Sequence, residues 1–390
     1  MLFYYLRLFM KIDQERLAEE FITLCEIESP SRYEGRISKH LKGVFKALDA
    51  DAVLEDNSTV KTGSESGNLL IRFSGSLPLA PIFFSCHMDT VPPTKGISVR
   101  RQGGLFTSSG DTVLGSDDKS GLVACIEAMR VLKENNIAHR PVEFLITTCE
   151  EIGLVGAKAF DASTVQAKEG YALDSTGFAK VITHAPAANK LEIQVSGVAA
   201  HAGLHPEWGV NAIVLAAKAL AEIPCGRIDE ESTVNFGIIQ GGVASNIVPE
   251  KVVIHGEVRS HSTEKLKQLT QTITDRFVNT AKHWTDPSGA ARGKPRIEVR
   301  VEEDFPAMAL AQDSQVIRRI EQAAAAIGLQ LSYEKAGGGS DANIFNGQGL
   351  ATAIVATGMT NVHSTSEQVE LEDMVNLTRL ILALLTQVDC

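Results

Sequence analysis

Three short apolar runs in this chain each stop at a histidine or an acid, and that arrangement limits the fold more than any other feature. Ile82 to Cys86 leads into His87-Met88-Asp89, Val142 to Thr148 into Glu150-Glu151, and Tyr171 to Leu173 into Asp174. Short apolar runs bounded by polar groups read as strands buried on both faces, the kind found in parallel sheets covered by helices. A fourth run, Ala351 to Thr357, lies near the end of the chain. Helical spacing of apolar residues marks Asp13 to Ile27, Gly35 to Leu48, Lys119 to Lys133, Ser314 to Ile327 and Leu371 to Val388. Strands alternating with helices predict an α/β layered sheet.

The middle of the chain has a different rhythm. Lys190 to Ser196, Thr233 to Gln240, Val252 to Ser260 and Arg296 to Val301 read as strands, with helices over Asn211 to Ile223 and Thr263 to Trp284. The order β-α-β-β-α-β is the split βαβ pattern of a ferredoxin-like unit. We therefore expect a catalytic domain in two segments, 1–186 and 304–390, with an inserted lid at 187–303.

In open α/β sheets ligands gather at the carboxyl ends of the strands, so the groups that end the apolar runs should converge there. Asp117-Asp118, at the start of the Lys119 helix, and His363, beyond the fourth run, join them. Taken alone, an adjacent acidic pair is more often solvated surface or a helix N-terminus, by roughly three to one. Joint placement at strand ends reverses those odds. Histidine and carboxylates without cysteine suit zinc, cobalt or manganese, in numbers sufficient for two ions. Asp117, Glu151 and Asp174 would supply three negative charges against four positive ones. Two close metal ions need a bridging carboxylate and leave a neighbouring acid free to move protons, and the pair Glu150-Glu151 can divide those tasks.

Composition excludes several other classes. Acids outnumber bases 48 to 37, for a net charge of −11, and no basic run suggests a nucleic-acid partner. The motifs G-x-G-x-x-G, G-x-x-x-x-G-K-[ST] and G-x-S-x-G are absent. No stretch reaches the length of a membrane span, so no membrane partner is expected. Six cysteines without C-x-x-C spacing fit a reducing cytoplasm. The apolar opening Met1 to Phe9 reads as an extension, with Met10 as an alternative start.

At this point the motifs resemble a known family. Ser85-Cys86-His87-Met88-Asp89-Thr90-Val91-Pro92, Gly115-Ser116-Asp117-Asp118, Cys149-Glu150-Glu151-Ile152-Gly153, Asp174 and Asn361-Val362-His363-Ser364 follow the order of the dinuclear zinc peptidases of clan MH. That family includes aminoacylases, glutamate carboxypeptidases and tripeptidase T, and the likeness is to the peptidase T-like branch. It implies a mixed-sheet zinc-exopeptidase catalytic domain with an inserted ferredoxin-like α+β lid that mediates homodimerisation.

The resemblance assigns His87 and Asp174 to one zinc, Glu151 and His363 to the other, and Asp117 to the bridge. It makes Asp89 the residue that orients His87, and Glu150 the general base. His201, in Ala200-His201-Ala202-Gly203, resembles the lid histidine that reaches a partner subunit's site and stabilises the oxyanion. Asn246 and Arg259 resemble residues that hold the substrate's carboxylate or carbonyl, and Gly338, Gly339 and Ser340 would bring backbone groups close to it. A plain tight turn is the competing reading of that last piece. Tripeptidase T itself has an H-P-G-type lid motif and a G-G-T-D loop where this chain has His201-Ala202-Gly203 and Gly339-Ser340-Asp341, so tripeptide specificity does not carry over. The implied activity is hydrolysis of short peptides with two zinc ions, cobalt or manganese being able to replace them. A deacylase of N-acyl amino acids would use the same metals, and a non-catalytic dimeric binding module is the third reading.

Overall fold

The computed structural model describes residues 11–387, so the readings for Met1 to Phe9 and for Val388 lie outside the described residues. Two compact units divide the chain. One comprises the segment up to His184, Ala309–Ala336 and the segment from Ser340 onward; the other comprises Ala185–Met308 with Gly337–Gly339.

The first unit is built on a mixed sheet. Its nine strands among the described residues run Ala52–Glu55, Leu69–Phe73, Val142–Thr147, Ile82–His87, Glu169–Ala172, Ala351–Val355, Lys180–Ala185 and the two-residue Met308–Ala309, with Ser332–Lys335 also paired to Lys180–Ala185. The central members, Val142–Thr147, Ile82–His87, Glu169–Ala172 and Ala351–Val355, are parallel to their neighbours, and antiparallel strands flank them. Ile82–His87 and Val142–Thr147 are buried at every position, which is why they read as unbroken apolar runs. The core joins Phe84 to Phe144 and Tyr171, with ring centroids 6.0 and 5.8 Å apart. Helices Gln14–Glu26, Ser116–Glu134 and Leu371–Thr386 pack together over it.

Among the strands that escaped the sequence reading, three did so for a physical reason. Leu69–Phe73 is interrupted by Arg72, whose charge is matched across the strand pair by Glu143 at 2.8 Å. Ala52–Glu55 and Lys180–Ala185 lie toward opposite sides of the sheet, each antiparallel to its inner neighbour, where polar residues such as Lys180, His184 and Glu55 are tolerated. The strand expected at Tyr171 to Asp174 runs instead over Glu169–Ala172, so Asp174 stands just beyond its end. The glycine-rich piece leads into a helix. Ser340 caps a helix over Asp341–Gly347, its hydroxyl accepting from the Ala342 amide while the Asn343 side chain accepts from the Ser340 amide.

The second unit is a five-stranded antiparallel sheet in the order Gly226–Arg227, Ser232–Gly241, Lys251–Ser260, Ala187–Ser196, Arg296–Phe305. Without the two-residue edge strand, this is the 2-3-1-4 order of a ferredoxin-like sheet. Ala187–Ser196 alternates buried and exposed positions, and its inner face packs with Leu215, Ile254, Ile273 and Phe277 into a separate core.

One position in the fold should carry a pH-dependent cost. Burial, with Glu370 and Glu372 nearby, pushes Asp373 up to about 6. Its folded value lies above its ordinary 3.8, so the folded chain holds more protons between those values; stability is full below about pH 4 and falls as pH rises to about 6. Asp373→Asn should therefore raise the melting temperature at pH 8 by about 1–3 °C, the position being half-buried and partly screened by solvent, and change nothing at pH 4. A melting scan at both pH values checks this, and an unchanged midpoint at pH 8 contradicts it.

Candidate metal centre

The parallel strands deliver the site to their carboxyl ends. His87 is the last residue of Ile82–His87 and Asp174 follows Glu169–Ala172 by two positions. Beyond Val142–Thr147 the chain turns sharply at Cys149, where φ is +54°, and Glu150 and Glu151 follow. Asp117 and Asp118 have non-helical backbone at the head of Ser116–Glu134, joined by a cis peptide bond, and the regular helix starts at Lys119. His363 sits on a loop closed by pairing of Thr360 with Gln368 and takes a left-handed φ of +61°.

All five residues expected to hold metal come together. One oxygen of Asp117 lies 3.0 Å from His87 Nε2 and the other 3.2 Å from His363 Nε2. His363 Nε2 is also 3.1 Å from Glu151, and His87 Nε2 is 3.9 Å from Asp174. One donor atom each from His87, Asp117 and Glu151 lie within 4.8 Å of one another. Two ligands at about 2.0–2.1 Å from a tetrahedral zinc are themselves about 3.3 Å apart, so these spacings suit a shared cation.

The electrostatics point the same way. Burial pushes Glu150, Glu151 and Asp174 above the usual carboxylate range, and repulsion adds to it: Asp174 acts on Glu150, and Asp117 on the other two. His363, hydrogen-bonded to Asp117 and Glu151, is pushed up to about 10. Burial opposes the charged forms of both His87 and Asp117, but their partners together outweigh it: Asp117 and Asp89 raise the histidine, and His363 and His87 lower the acid. Protons and imidazolium groups thus balance a carboxylate cluster that divalent cations would balance better. The donor set of two imidazoles and three carboxylates, without sulfur, fits zinc, cobalt or manganese.

Asp89 sits beside His87 and has further partners. His87 Nδ1 is 3.0 Å from the backbone carbonyl of Asp89 and 3.5 Å from its carboxylate. The carboxylate also accepts from the Glu150 and Glu151 amides and from the Ser31 hydroxyl. It therefore ties the two motifs together while its backbone orients the imidazole. No hydrogen bond or ion pair engages the Glu150 carboxylate among the described residues, which leaves it available to move a proton.

Sequence reasoning missed several residues around the centre. Glu367 accepts from the backbone that leads into Asp117, and Glu34 accepts from the Cys149 amide at 3.0 Å. Asp341, buried beside Thr147, is pushed up to about 6 by burial. None of the three carried a readable signal, because their partners are backbone amides and hydroxyls.

His201, Asn246, Arg259 and Gly339 belong to the second unit, and Ser340 to the first. His201 and Asn246 are neighbours, the Ala202 amide donating to the Asn246 carbonyl at 2.9 Å. His201 Nδ1 accepts from the Gly203 and Leu204 amides at 3.2 Å each, so Nε2 carries the proton. The loop is braced by Trp208, stacked on His205 at 3.6 Å and covered by the Arg292 guanidinium at 3.3 Å. Arg259 bonds Glu257 at 3.0 Å and lies 6.0 Å from the Phe305 ring, with its Nε buried and unpartnered. A Cβ on Gly339 would come within 2.5 Å of that same ring, so close packing requires glycine there. The Ser340 hydroxyl is occupied as a helix cap.

The sequence pattern of Peptidase family M20/M25/M40 matches residues 83–387. The uncharacterised protein YqjE of Bacillus subtilis strain 168 is 40% identical over 96% of this chain and 99% of its own. Among solved structures, the aminopeptidase PepT from Bacillus cereus ATCC 10987 is 40% identical, with a TM-score of 0.87 over 96% of this chain and 98% of its own. A tripeptidase, SAV1512, from Staphylococcus aureus subsp. aureus Mu50 is 32% identical, with a TM-score of 0.88 over the same shares.

Proposed function

The chain belongs to peptidase family M20/M25/M40 and is a peptide hydrolase, and from that premise we propose that it is a dinuclear zinc exopeptidase cleaving short peptides. The observation that carries the metal assignment is Asp117, whose two oxygens face His87 and His363 separately at 3.0 and 3.2 Å. His87 and Asp174 would hold one ion, Glu151 and His363 the other, with Asp117 between them. Divalent zinc there supplies Lewis acidity to the scissile carbonyl and acidifies the attacking water.

The chain's own groups do the rest. Glu150 takes a proton from the attacking water and returns it to the leaving amine. Its burial beside Asp174 raises its proton affinity, which suits it to both halves of that task. His201 offers Nε2–H to the oxyanion that develops on the carbonyl. Arg259, with an unused Nε donor, receives the substrate carboxylate, and Asn246 an adjacent carbonyl. The apolar residues Ile238 and Ile239 are about half exposed on Ser232–Gly241, whose outer edge is unpaired beyond Val234 among the described residues. That edge supports a homodimer formed by two copies of this unit. Four of the five described cysteines are buried and all five are free, which accords with a reducing compartment such as the cytoplasm.

Chelation should lower turnover of a tripeptide at least about 100-fold, and zinc or cobalt should restore it. Activity indifferent to chelators overturns the metal reading. Di-, tri- and tetrapeptides assayed beside N-acyl amino acids, with metal content measured on the same sample, separate a peptidase from a deacylase.

A further inference from the structure

The carboxylate of Glu367 is 1% exposed and accepts four hydrogen bonds from the loop that delivers Asp117. Oε2 receives the amides of Leu114 and Gly115 at 2.8 and 2.9 Å, and Oε1 receives the Ser116 hydroxyl and the Asp117 amide at 2.6 and 3.0 Å. Glu367 also lies on the loop that carries His363, immediately before the Thr360–Gln368 pairing that closes it. One side chain thus joins the segment holding the bridging carboxylate to the segment holding a histidine 246 positions further along. We propose that Glu367 is the positioning residue that sets Asp117 against His363, an inference that rests on the metal-dependent reading above.

Two neighbouring features support this. Lys119 is fully buried beside this loop, and its ammonium donates to Thr90 at 2.6 Å. The four donated hydrogen bonds make a buried carboxylate tolerable at this place. Gly115 adopts φ +78°, which turns its amide toward Glu367, and a Cβ there would sit 3.2 Å from the Lys119 ammonium. Loop, lysine and glutamate form one arrangement in which every acceptor direction of the carboxylate is occupied. An amide in its place would turn an NH2 group toward donors on one side and misplace Asp117 without touching any ligand.

The test compares wild type, Glu367→Gln and Ser116→Ala, the latter removing one donor and leaving the carboxylate. Zinc affinity is read by competition with a fluorescent chelator, and melting temperature is read with and without zinc. Glu367→Gln should bind zinc about 10–100-fold more weakly, and the rise in melting temperature that zinc produces should shrink. Ser116→Ala should weaken zinc several-fold, and it decides the matter alone should the glutamine variant fail to fold. A residue that only stabilises the fold would lower melting equally with and without zinc, and wild-type zinc affinity in both variants overturns the inference. Wild-type protein that binds no divalent metal would instead overturn the reading beneath it.

Discussion

Glu150→Gln should retain its metal and lose about 10²–10⁴ in kcat, because an amide of the same shape cannot accept the proton of the attacking water. The Glu150 carboxylate carries no structural hydrogen bond among the described residues, so little folding energy is at stake. The neighbouring amides of Glu150 and Glu151 stay anchored on Asp89 at 2.9 and 3.2 Å. Steady-state kinetics and metal analysis on one preparation decide the matter. Turnover within tenfold of wild type would transfer the base role elsewhere, and a loss of metal would show that Glu150 is a ligand.

The second large effect concerns His201. Removal of a single oxyanion donor typically costs about 10²–10³ in kcat, and His201→Ala should fall in that range with metal content and fold unchanged. Nitrogen chemical shifts of the wild-type imidazole should report a proton on Nε2, since Nδ1 accepts from two backbone amides. If two subunits exchange this residue across a two-fold dimer, inactive His201→Ala and inactive Glu150→Gln subunits form one complete site in each mixed dimer. Random reassociation should then recover about a quarter of wild-type activity. Absence of recovery from exchanged subunits would confine His201 to its own chain.

The centre was legible because its chemistry sits where strands end. His87, Glu150, Glu151 and Asp174 each follow a run that had to be buried, and burial of that kind leaves a direct mark on residue order. Asp117 was legible from its place at the head of a helix. What escaped notice was the polar framework. Glu367 makes its four bonds to backbone amides and one hydroxyl, and such partners leave no trace in side-chain spacing. Asp89 was identified beside His87, but its bonds to two backbone amides are visible only in the geometry. The missed strands were those where a charged residue could be neutralised across the sheet, as Arg72 is by Glu143.

The order of strands has a consequence for how the molecule is made. Ala351–Val355 lies between Glu169–Ala172 and Lys180–Ala185, so the sheet has a gap in its middle until the last part of the chain has been synthesised. The same late segment brings His363 and Glu367. A ribosome delivers the N-terminal residues first, and pairings that span nearly two hundred positions form late and slowly. The growing chain therefore holds most of its acids together before it has the final histidine. With His363 as a metal ligand, as proposed, a product cut short before residue 363 should not hydrolyse peptides.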